Sequence, residues 1–249
     1  MKLDFYYFSF QCPLNYDMLQ LLEAYEDIID ISIHDIANDF ALAKDVKMFF
    51  PSLAILNGER RYYSPINKKF LDSIVNDIYP VEKTYSCNLA KMEYAGEIQP
   101  LLKSGIYTAC QCCGHCTEAN TRIKGHFLNE SMDEPYGFLN LGKDGALLGG
   151  AEYMPSMIIP YDVPRDEKTA FITCVYMSDS KYDYKSAPLL ALENYLHGRF
   201  KKIIAISDEI GIFPNGNLDF FLRNGYRDNG IIYEDHGYCR LHLVSKELI

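Results

Sequence analysis

Two series of short apolar strands and amphipathic helices constrain the fold of this chain more than any other feature. In the first eighty residues, an aromatic run, KLDFYYFSF, is followed by a segment whose apolar residues recur every three or four positions. A second series of the same kind begins at Pro135. Strands that alternate with helices are typical of α/β proteins, and 249 residues suffice for one large domain or two small ones.

The first series predicts the element order βαβαββα. We expect a strand over residues 2–10, a helix that begins at Cys12-Pro13, a strand over 28–33 and a short helix. A hairpin that turns at Asn57-Gly58 and a closing amphipathic helix complete the series.

This order resembles the thioredoxin-like fold over residues 1–80. The segments that carry the resemblance are Cys12-Pro13-Leu14-Asn15, Pro51-Ser52-Leu53 and Ile55-Leu56-Asn57-Gly58. The resemblance implies a cis peptide bond before Pro51, which would face Cys12. The chain departs from the Cys-x-x-Cys redox motif at Asn15, so Cys12 is either a catalytic thiol that works by monothiol chemistry or a remnant in a retired redox domain.

The second series predicts a mixed sheet. The segment YGFLNLGKDGALLGGAEYMPS indicates two strands around a Lys143-Asp144-Gly145 turn, and TAFITCVYMS indicates a central strand. A polar loop then leads into a helix with Pro188 in its first turn, followed by a strand, a helix that ends near Gly225 and two closing strands.

These segments resemble the GNAT-type acetyltransferase fold over residues 135–249. The carriers are GGAEYMPS, FITCVYMS, PLLALENYL, KKIIAIS and FFLRNGYR, and a cysteine in the central strand beside a thioredoxin-like module is similar to the YoaP-like branch. The expected fold is therefore α/β: a thioredoxin-like βαβαββα module followed by a GNAT-like mixed sheet with flanking helices. Residues 81–134 would form a helical, cysteine-rich connector that packs on the C-terminal module, with one helix around residues 88–102.

The resemblance implies acetyl-CoA as cofactor. The central strand would splay from its neighbour, and the loop that enters the next helix would hold the pyrophosphate. The family's two loop glycines are missing, and Asp183 adds a like charge. The cofactor-binding candidates on the strand and the loop are Val175, Tyr176, Met177, Lys181, Lys185, Ser186 and Ala187.

The expected catalytic residues are Cys174, Tyr226 and Cys12. Cys174 is a residue of the central strand, either catalytic or a core thiol. The family's usual general-acid tyrosine corresponds to Phe221, which cannot give a proton. Tyr226, Tyr176 or Tyr182 could replace it, and the amine's proton could pass to Asp208, Glu209 or Glu152.

The segment CQCCGHC places four of the chain's eight cysteines within seven residues. Soft thiolate ligands favour zinc or another thiophilic metal. The candidate metal ligands are Cys110, Cys112, Cys113, His115 and Cys116, with His126 or Cys87 as further donors. A redox dithiol in CGHC is the alternative, and exchange between Cys12 and the cluster would join the two modules.

These features predict an acyl-CoA-dependent N-acetyltransferase-like protein with a degenerate cofactor loop, acting on a small amine or a thiol-bearing substrate. The alternative is a thiol- or metal-handling protein whose GNAT-like module no longer binds acetyl-CoA. A net charge of −10 argues against nucleic-acid partners. The sequence shows neither a membrane span nor a signal peptide, so we expect a cytoplasmic protein, and an exposed hairpin or last strand could support a homodimer.

Overall fold

The computed structural model of the protein describes residues 1–86, 90–114, 117–212 and 215–248. In that part of the chain, helices pack against one four-stranded and one seven-stranded sheet. The protein is therefore mixed α/β, as the sequence predicts. Among the described residues, no helix has the length and apolar character needed to cross a membrane.

The four-stranded sheet is built from the first series of elements. In chain order these are β1 (Lys2–Tyr7), α1 (Leu14–Glu23), β2 (Asp30–Asp35), α2 (Phe40–Asp45), β3 (Ser52–Leu56), β4 (Arg60–Tyr62) and α3 (Lys68–Val75). The sheet order is β2-β1-β3-β4, with β1 and β2 parallel and the other pairs antiparallel. The element order is the one the sequence predicts, while the thioredoxin-like assignment stays a prediction.

The expectation of a cis bond before Pro51 is wrong. The one cis peptide bond among the described residues is Glu134–Pro135, so the bond before Pro51 is trans. The carbonyl of Pro51 accepts hydrogen bonds from the backbone N–H of Phe8, at 3.0 Å, and from the side-chain amide of Asn15, at 3.3 Å. These bonds fix the approach to β3 with the trans isomer that X-Pro bonds ordinarily adopt.

The seven-stranded sheet takes its strands from residues 97–247. They are β5 (Glu97–Pro100), β6 (Gly137–Leu141), β7 (Leu147–Pro155), β8 (Thr169–Met177), β9 (Lys202–Asp208), β10 (Arg227–Asp235) and β11 (Cys239–Glu247). The sheet order is β10-β11-β9-β8-β7-β6-β5, in which only β8 and β9 run parallel. The helices of this part are α4 (Ile106–Cys110), α5 (Glu118–Ser131), α6 (Ser186–Leu196) and α7 (Leu218–Arg223).

The helix expected around residues 88–102 is wrong over its described part, because residues 97–100 form the edge strand β5. This segment pairs antiparallel with β6, from Glu97 opposite Leu141 to Pro100 opposite Phe138. The strand satisfies backbone groups of β6 that would otherwise form an open edge. Tertiary pairing thus overrides the local helical pattern.

Strands β8 and β9 pair over only part of their length. Their register runs from Thr169 opposite Lys202 to Ile172 opposite Ala205 and stops there. On its other side β8 continues to pair with β7, with a shift in register between Cys174 and Ile172 that leaves one extra residue in β8. The two parallel strands therefore diverge at the centre of the sheet, as the sequence analysis expects.

The two sheets share one hydrophobic core. We call the four-stranded sheet with α1, α2 and α3 the first unit, and the seven-stranded sheet with its helices the second unit. Phe8, Phe50 and Tyr63 of the first unit pack with Tyr161 and Phe171 of the second. The rings of Phe8 and Tyr161 meet edge to face, with centroids 5.8 Å apart. The first unit, α4 and α5 contact one face of the large sheet, whereas α6 and α7 contact the other.

Candidate functional site

Four cysteines from three distant segments lie together on the face of the large sheet that the first unit covers. Cys12 precedes α1, Cys112 and Cys113 belong to a 3₁₀ turn, and Cys174 belongs to β8. All four are free thiols of intermediate exposure. Tertiary folding, not local sequence, creates this group, which we call the thiol cluster.

Cys113 is the centre of the thiol cluster. Its sulfur lies 3.4 Å from that of Cys112, and it also makes a side-chain hydrogen bond with Cys12. Cys174 lies close enough for its charge to influence both Cys12 and Cys112. The structure thus brings Cys12 to the cysteine-rich turn, as the exchange hypothesis requires.

Cys113 is the thiol of the cluster that ionises first. Hydrogen bonds from Cys112 and then from Cys12 lower the pKa of Cys113 far below that of an ordinary thiol, and the charge of Lys124 lowers it further. The same hydrogen bonds, together with burial, raise the pKa values of Cys12 and Cys112. Burial raises the pKa of Cys174. The arrangement is therefore one thiolate held by two neutral thiol donors.

A buried ion pair lies beside the thiol cluster. Nζ of Lys124, on α5, is 2.9 and 2.7 Å from the two carboxylate oxygens of Glu152, on β7. Although burial opposes its charge, the nearby carboxylate raises the pKa of Lys124. The sequence analysis overlooked this lysine, but one signal was present, since Asn120, Lys124 and Leu128 recur every four residues and all three are buried on one face of α5.

The described residues do not support the predicted metal site. Among them, no group of three or more His, Cys, Asp or Glu side chains is arranged to hold a metal ion. Cys110 is buried in an apolar cluster with Leu101, Ile106 and Leu128. The candidate ligands His115 and Cys116, and the further donor Cys87, lie outside the described residues.

The structure separates Tyr226 from the other predicted catalytic residues. Tyr226 is buried among Phe221 and Val244 in the core on the α6 and α7 side. Burial and then the charge of Glu193 raise its pKa well above the usual value. Cys174 packs instead with the apolar cluster on the opposite face. Tyr226 is therefore not positioned to act together with Cys174.

Each candidate base is already engaged in other contacts. Glu152 is bound to Lys124. Asp208 accepts hydrogen bonds from the backbone N–H groups of Ile210 and Arg240, and burial raises its pKa. Glu209 pairs with Arg240 and with His242, both at 3.3 Å.

The cofactor arm is expected where β8 and β9 diverge, and Val175, Tyr176 and Met177 belong to the part of β8 beyond that point. Asn215 closes the point of divergence, because its side-chain amide donates to the carbonyl of Ile172 on β8, at 3.2 Å, and to that of Ile206 on β9, at 3.3 Å. Tyr176 turns its ring toward Gly150, where a Cβ would lie 2.5 Å from the Tyr176 hydroxyl. The strand geometry suits an extended ligand arm, and Asn215 bridges its inner end.

In the loop before α6, the side chain of Asp183 caps the start of the helix. The carboxylate of Asp183 accepts hydrogen bonds from the backbone N–H groups of Lys185, at 3.0 Å, and Ser186, at 3.1 Å, and from the Ser186 hydroxyl, at 2.7 Å. Asp183 is only 3% exposed. These two N–H groups are the ones a pyrophosphate would use at this helix start.

The two lysines of the loop point in different directions. Lys181 is exposed, with its ammonium group 5.4 Å from the ring centroid of Tyr182. Lys185 is buried, with its ammonium group 4.0 Å from the ring centroid of Phe220 on α7. The two charges therefore do not converge on one phosphate position. Ala187, the last candidate of the loop, is half-buried in the first turn of α6.

No protein-family model matches the sequence, and no curated protein sequence matches it. Similar solved structures include an aminoglycoside 6'-N-acetyltransferase complexed with coenzyme A, at 13% identity, over 61% of this chain and 97% of that chain, with a TM-score of 0.43. An N-acetyltransferase from Staphylococcus aureus Mu50 is 15% identical over 61% of this chain and 98% of its own, with a TM-score of 0.44. The protein yncA from Salmonella typhimurium, solved with acetyl-CoA, is 11% identical over 63% of this chain and 95% of its own, with a TM-score of 0.46.

At these identities and TM-scores, the similarity assigns neither an activity nor a cofactor to this chain. The question of acetyl-CoA is decided by the residues of the cleft. The divergence of β8 and β9 fits the extended arm of the cofactor, but the loop before α6 does not fit its phosphates, because Asp183 already occupies the N–H groups. The cleft as a whole therefore does not fit acetyl-CoA.

Proposed function

We propose that this protein carries out thiol–disulfide exchange, with Cys113 as the attacking thiolate and Cys12 as the resolving thiol. The observation that carries the proposal is the contact between Cys12 and Cys113, which joins the start of α1 to the cysteine-rich turn. A thiolate at Cys113 supplies the nucleophile. Cys113 supplies the partner thiol that a Cys-x-x-Cys motif would otherwise have at the position of Asn15.

The proposed reaction consumes one substrate disulfide. The Cys113 thiolate attacks one sulfur atom, forms a mixed disulfide and expels the other half of the substrate as a thiolate. Cys12 gives its proton to that thiolate and attacks the sulfur of Cys113, which releases the remaining half. The Cys12–Cys113 disulfide is formed, two electrons pass to the substrate, and the reverse sequence oxidises a substrate dithiol.

The neighbouring residues support this order of events. Cys112 and Cys12 donate hydrogen bonds to Cys113, so they stabilise the thiolate before the attack. Lys124 adds a positive charge that is fixed by Glu152. Once Cys113 has formed the mixed disulfide its negative charge is gone, so the raised pKa of Cys12 falls and this thiol ionises more readily.

The proposal is tested with glutathione disulfide and the full reduced chain. Rapid quenching with an alkylating agent at pH 6, followed by peptide mass spectrometry, follows the bonds formed. The wild-type protein is expected to give a cross-link between the peptide of Cys12 and that of Cys113. Cys12→Ser is expected to stop at a glutathione adduct on Cys113, and Cys113→Ser is expected to lose the fast reaction.

Cys239→Ala is the matched control, because Cys239 is a buried thiol that packs in the core between the two sheets, outside the thiol cluster. It is expected to react like the wild type. A cross-link within the cysteine-rich turn that leaves Cys12 reduced would contradict the role of Cys12. Fast reaction of Cys113→Ser would contradict the role of Cys113.

A second candidate function is acyl transfer from an acyl-CoA to a small amine or a thiol-bearing substrate. It is supported by one observation, the divergence of β8 and β9 beyond Ile172, after which the backbone of Val175, Tyr176 and Met177 no longer pairs with β9. The capping of α6 by Asp183 speaks against it. Cys174 belongs to the part of β8 that no longer pairs with β9, so it is the cysteine of this chain that such a function would use.

The two candidates are separated by ligand-induced stabilisation. A ligand at a hundred times its dissociation constant raises the free energy of unfolding by about 2.7 kcal/mol. Unfolding of the reduced protein with and without acetyl-CoA tests acyl transfer, and no stabilisation is expected. A clear rise in melting temperature would place acyl transfer first, whatever the thiol assay gives. A small-molecule substrate, a cytoplasmic location and a homodimer stay predictions.

A further inference from the structure

We infer that Asp183 is a built-in substitute for a phosphate, and that its carboxylate closes the cleft of the large sheet to phosphate-bearing ligands. The inference is independent of thiol exchange. It concerns the loop before α6, and it depends on which group accepts hydrogen bonds from the N–H groups at the start of that helix.

The carboxylate of Asp183 is placed where a bound anion would lie. It takes two backbone N–H groups and one hydroxyl at distances of 2.7–3.1 Å. Three short hydrogen bonds from donors at a helix start are what a phosphate oxygen finds in an anion site. An incoming phosphate would have to displace the carboxylate and would meet its negative charge in a buried position, where screening by water is weak.

The backbone of Asp183 is fixed as firmly as its side chain. Its N–H donates to the carbonyl of Met92, at 2.8 Å, and its carbonyl accepts from the N–H of Tyr94, at 3.1 Å. The strand-like segment around residues 92–94 therefore lies along the loop and holds it in place. Swinging the carboxylate away would require these bonds or the side-chain torsions to change.

The next residue of the loop is also pinned to the sheet. The carbonyl of Tyr184 accepts a hydrogen bond from the side chain of Asn140, at 3.1 Å, and a Cβ on Gly149 would lie 2.6 Å from that carbonyl oxygen. The glycine on β7 is needed for this close approach. Hydrogen bonds to residues 92–94 and to Asn140 thus hold the loop against the rest of the protein.

The cleft is closed in the same way at its inner end. The side-chain amide of Asn215 joins Ile172 to Ile206 across the point where β8 and β9 part. Side chains of the protein therefore satisfy backbone groups at both ends of the cleft. On this inference the large sheet positions Cys174 and Glu152 and supports the first unit, and its cleft does not bind a phosphate-bearing ligand.

The test is isothermal titration calorimetry of the reduced full chain with coenzyme A and, separately, with inorganic pyrophosphate. The wild type is expected to bind neither. Asp183→Ala frees the two N–H groups and removes the charge, so it is expected to bind both ligands at least about tenfold more tightly than the wild type. Asp179→Ala is the control, since Asp179 is an exposed carboxylate of the same loop that accepts a hydrogen bond from the N–H of Lys181.

Asp183→Asn is a second variant, which keeps the test conclusive if the alanine variant does not fold. The asparagine can still accept from the N–H groups but carries no charge, so tighter binding than the wild type is again expected. Binding of coenzyme A or pyrophosphate by the wild type would overturn the inference. So would folded Asp183 variants, verified by circular dichroism, that bind no better than the wild type.

Discussion

Lys124 and Glu152 form an ion pair from which water is almost wholly excluded, with side-chain exposures of 4% and 2%. The pair joins α5 to β7 and lies beside Cys112 and Cys174, whose pKa values its charges influence. One contact therefore serves both the packing of α5 on the sheet and the charge balance of the thiol cluster.

Removing one partner of this pair is expected to destabilise the protein. Lys124→Met leaves Glu152 buried without its counter-charge, which typically costs about 3–5 kcal/mol of unfolding free energy. Urea unfolding under reducing conditions measures the loss. Lys68→Met, in the exposed pair with Asp72, is the control and is expected to cost about 1 kcal/mol or less. A loss no larger than that of the control would contradict the role of the buried pair.

The second expectation concerns the ionisation of Cys113. Its hydrogen bonds from Cys112 and Cys12 and the charge of Lys124 lower its pKa, so Cys12→Ala and Lys124→Met are each expected to raise it. The rate of labelling of Cys113 by iodoacetamide, followed by mass spectrometry from pH 4 to pH 9, reports the thiolate fraction. Cys239→Ala should leave the profile unchanged. An ordinary thiol profile for Cys113 in the wild type would refute the low pKa.

The third expectation is a dependence of stability on pH. Because the pKa of Cys113 is lowered by folding, the unfolded chain binds more protons at any pH between the folded value and the ordinary thiol pKa of about 8.5. The contribution of Cys113 to the unfolding free energy therefore grows with pH across this interval, is complete above about 8.5, and is lost as the pH falls toward the folded value.

The raised pKa values of Cys12 and Cys112 act in the opposite direction above the ordinary thiol pKa. The difference in unfolding free energy between the wild type and Cys113→Ser, measured with urea in a reducing buffer, should be larger at pH 8 than at pH 6. A difference that stays constant between these two pH values would show that Cys113 ionises alike in the folded and unfolded states.

The fourth expectation is that Asn15 is structural. Its side-chain amide donates to the carbonyls of Ser9, at 2.7 Å, and Pro51, at 3.3 Å, and the residue is fully buried. Asn15→Ala removes both bonds, which takes a donor from the half-buried Ser9 carbonyl and leaves the Pro51 carbonyl with the N–H of Phe8, so it should lower the unfolding free energy by about 1–3 kcal/mol. Asn76→Ala, which removes one exposed bond on α3, should cost less. Equal losses for the two variants would argue against this role.

Local sequence was sufficient for much of the fold. The Asn57-Gly58 turn was predictable, because Asn and Gly favour the left-handed conformation that both residues adopt in this hairpin loop, with φ of 53° and 75°. The cap of α5 was also predictable, since the Thr117 side chain accepts from the N–H of Asn120. In contrast, β5 could not be predicted from its own residues, because the free edge of β6 makes it a strand.

The sequence by itself determined the two series of strands and helices, the cysteine-rich turn and the absence of glycine from residues 181–187, because periodicity, turn residues and motif spacing are local properties. Only the tertiary structure decided that Cys12 meets Cys113, that Lys124 pairs with Glu152, and that Asp183 fills the start of α6. These relationships depend on how helices and sheets pack, and packing sets both the distances between charges and their separation from water.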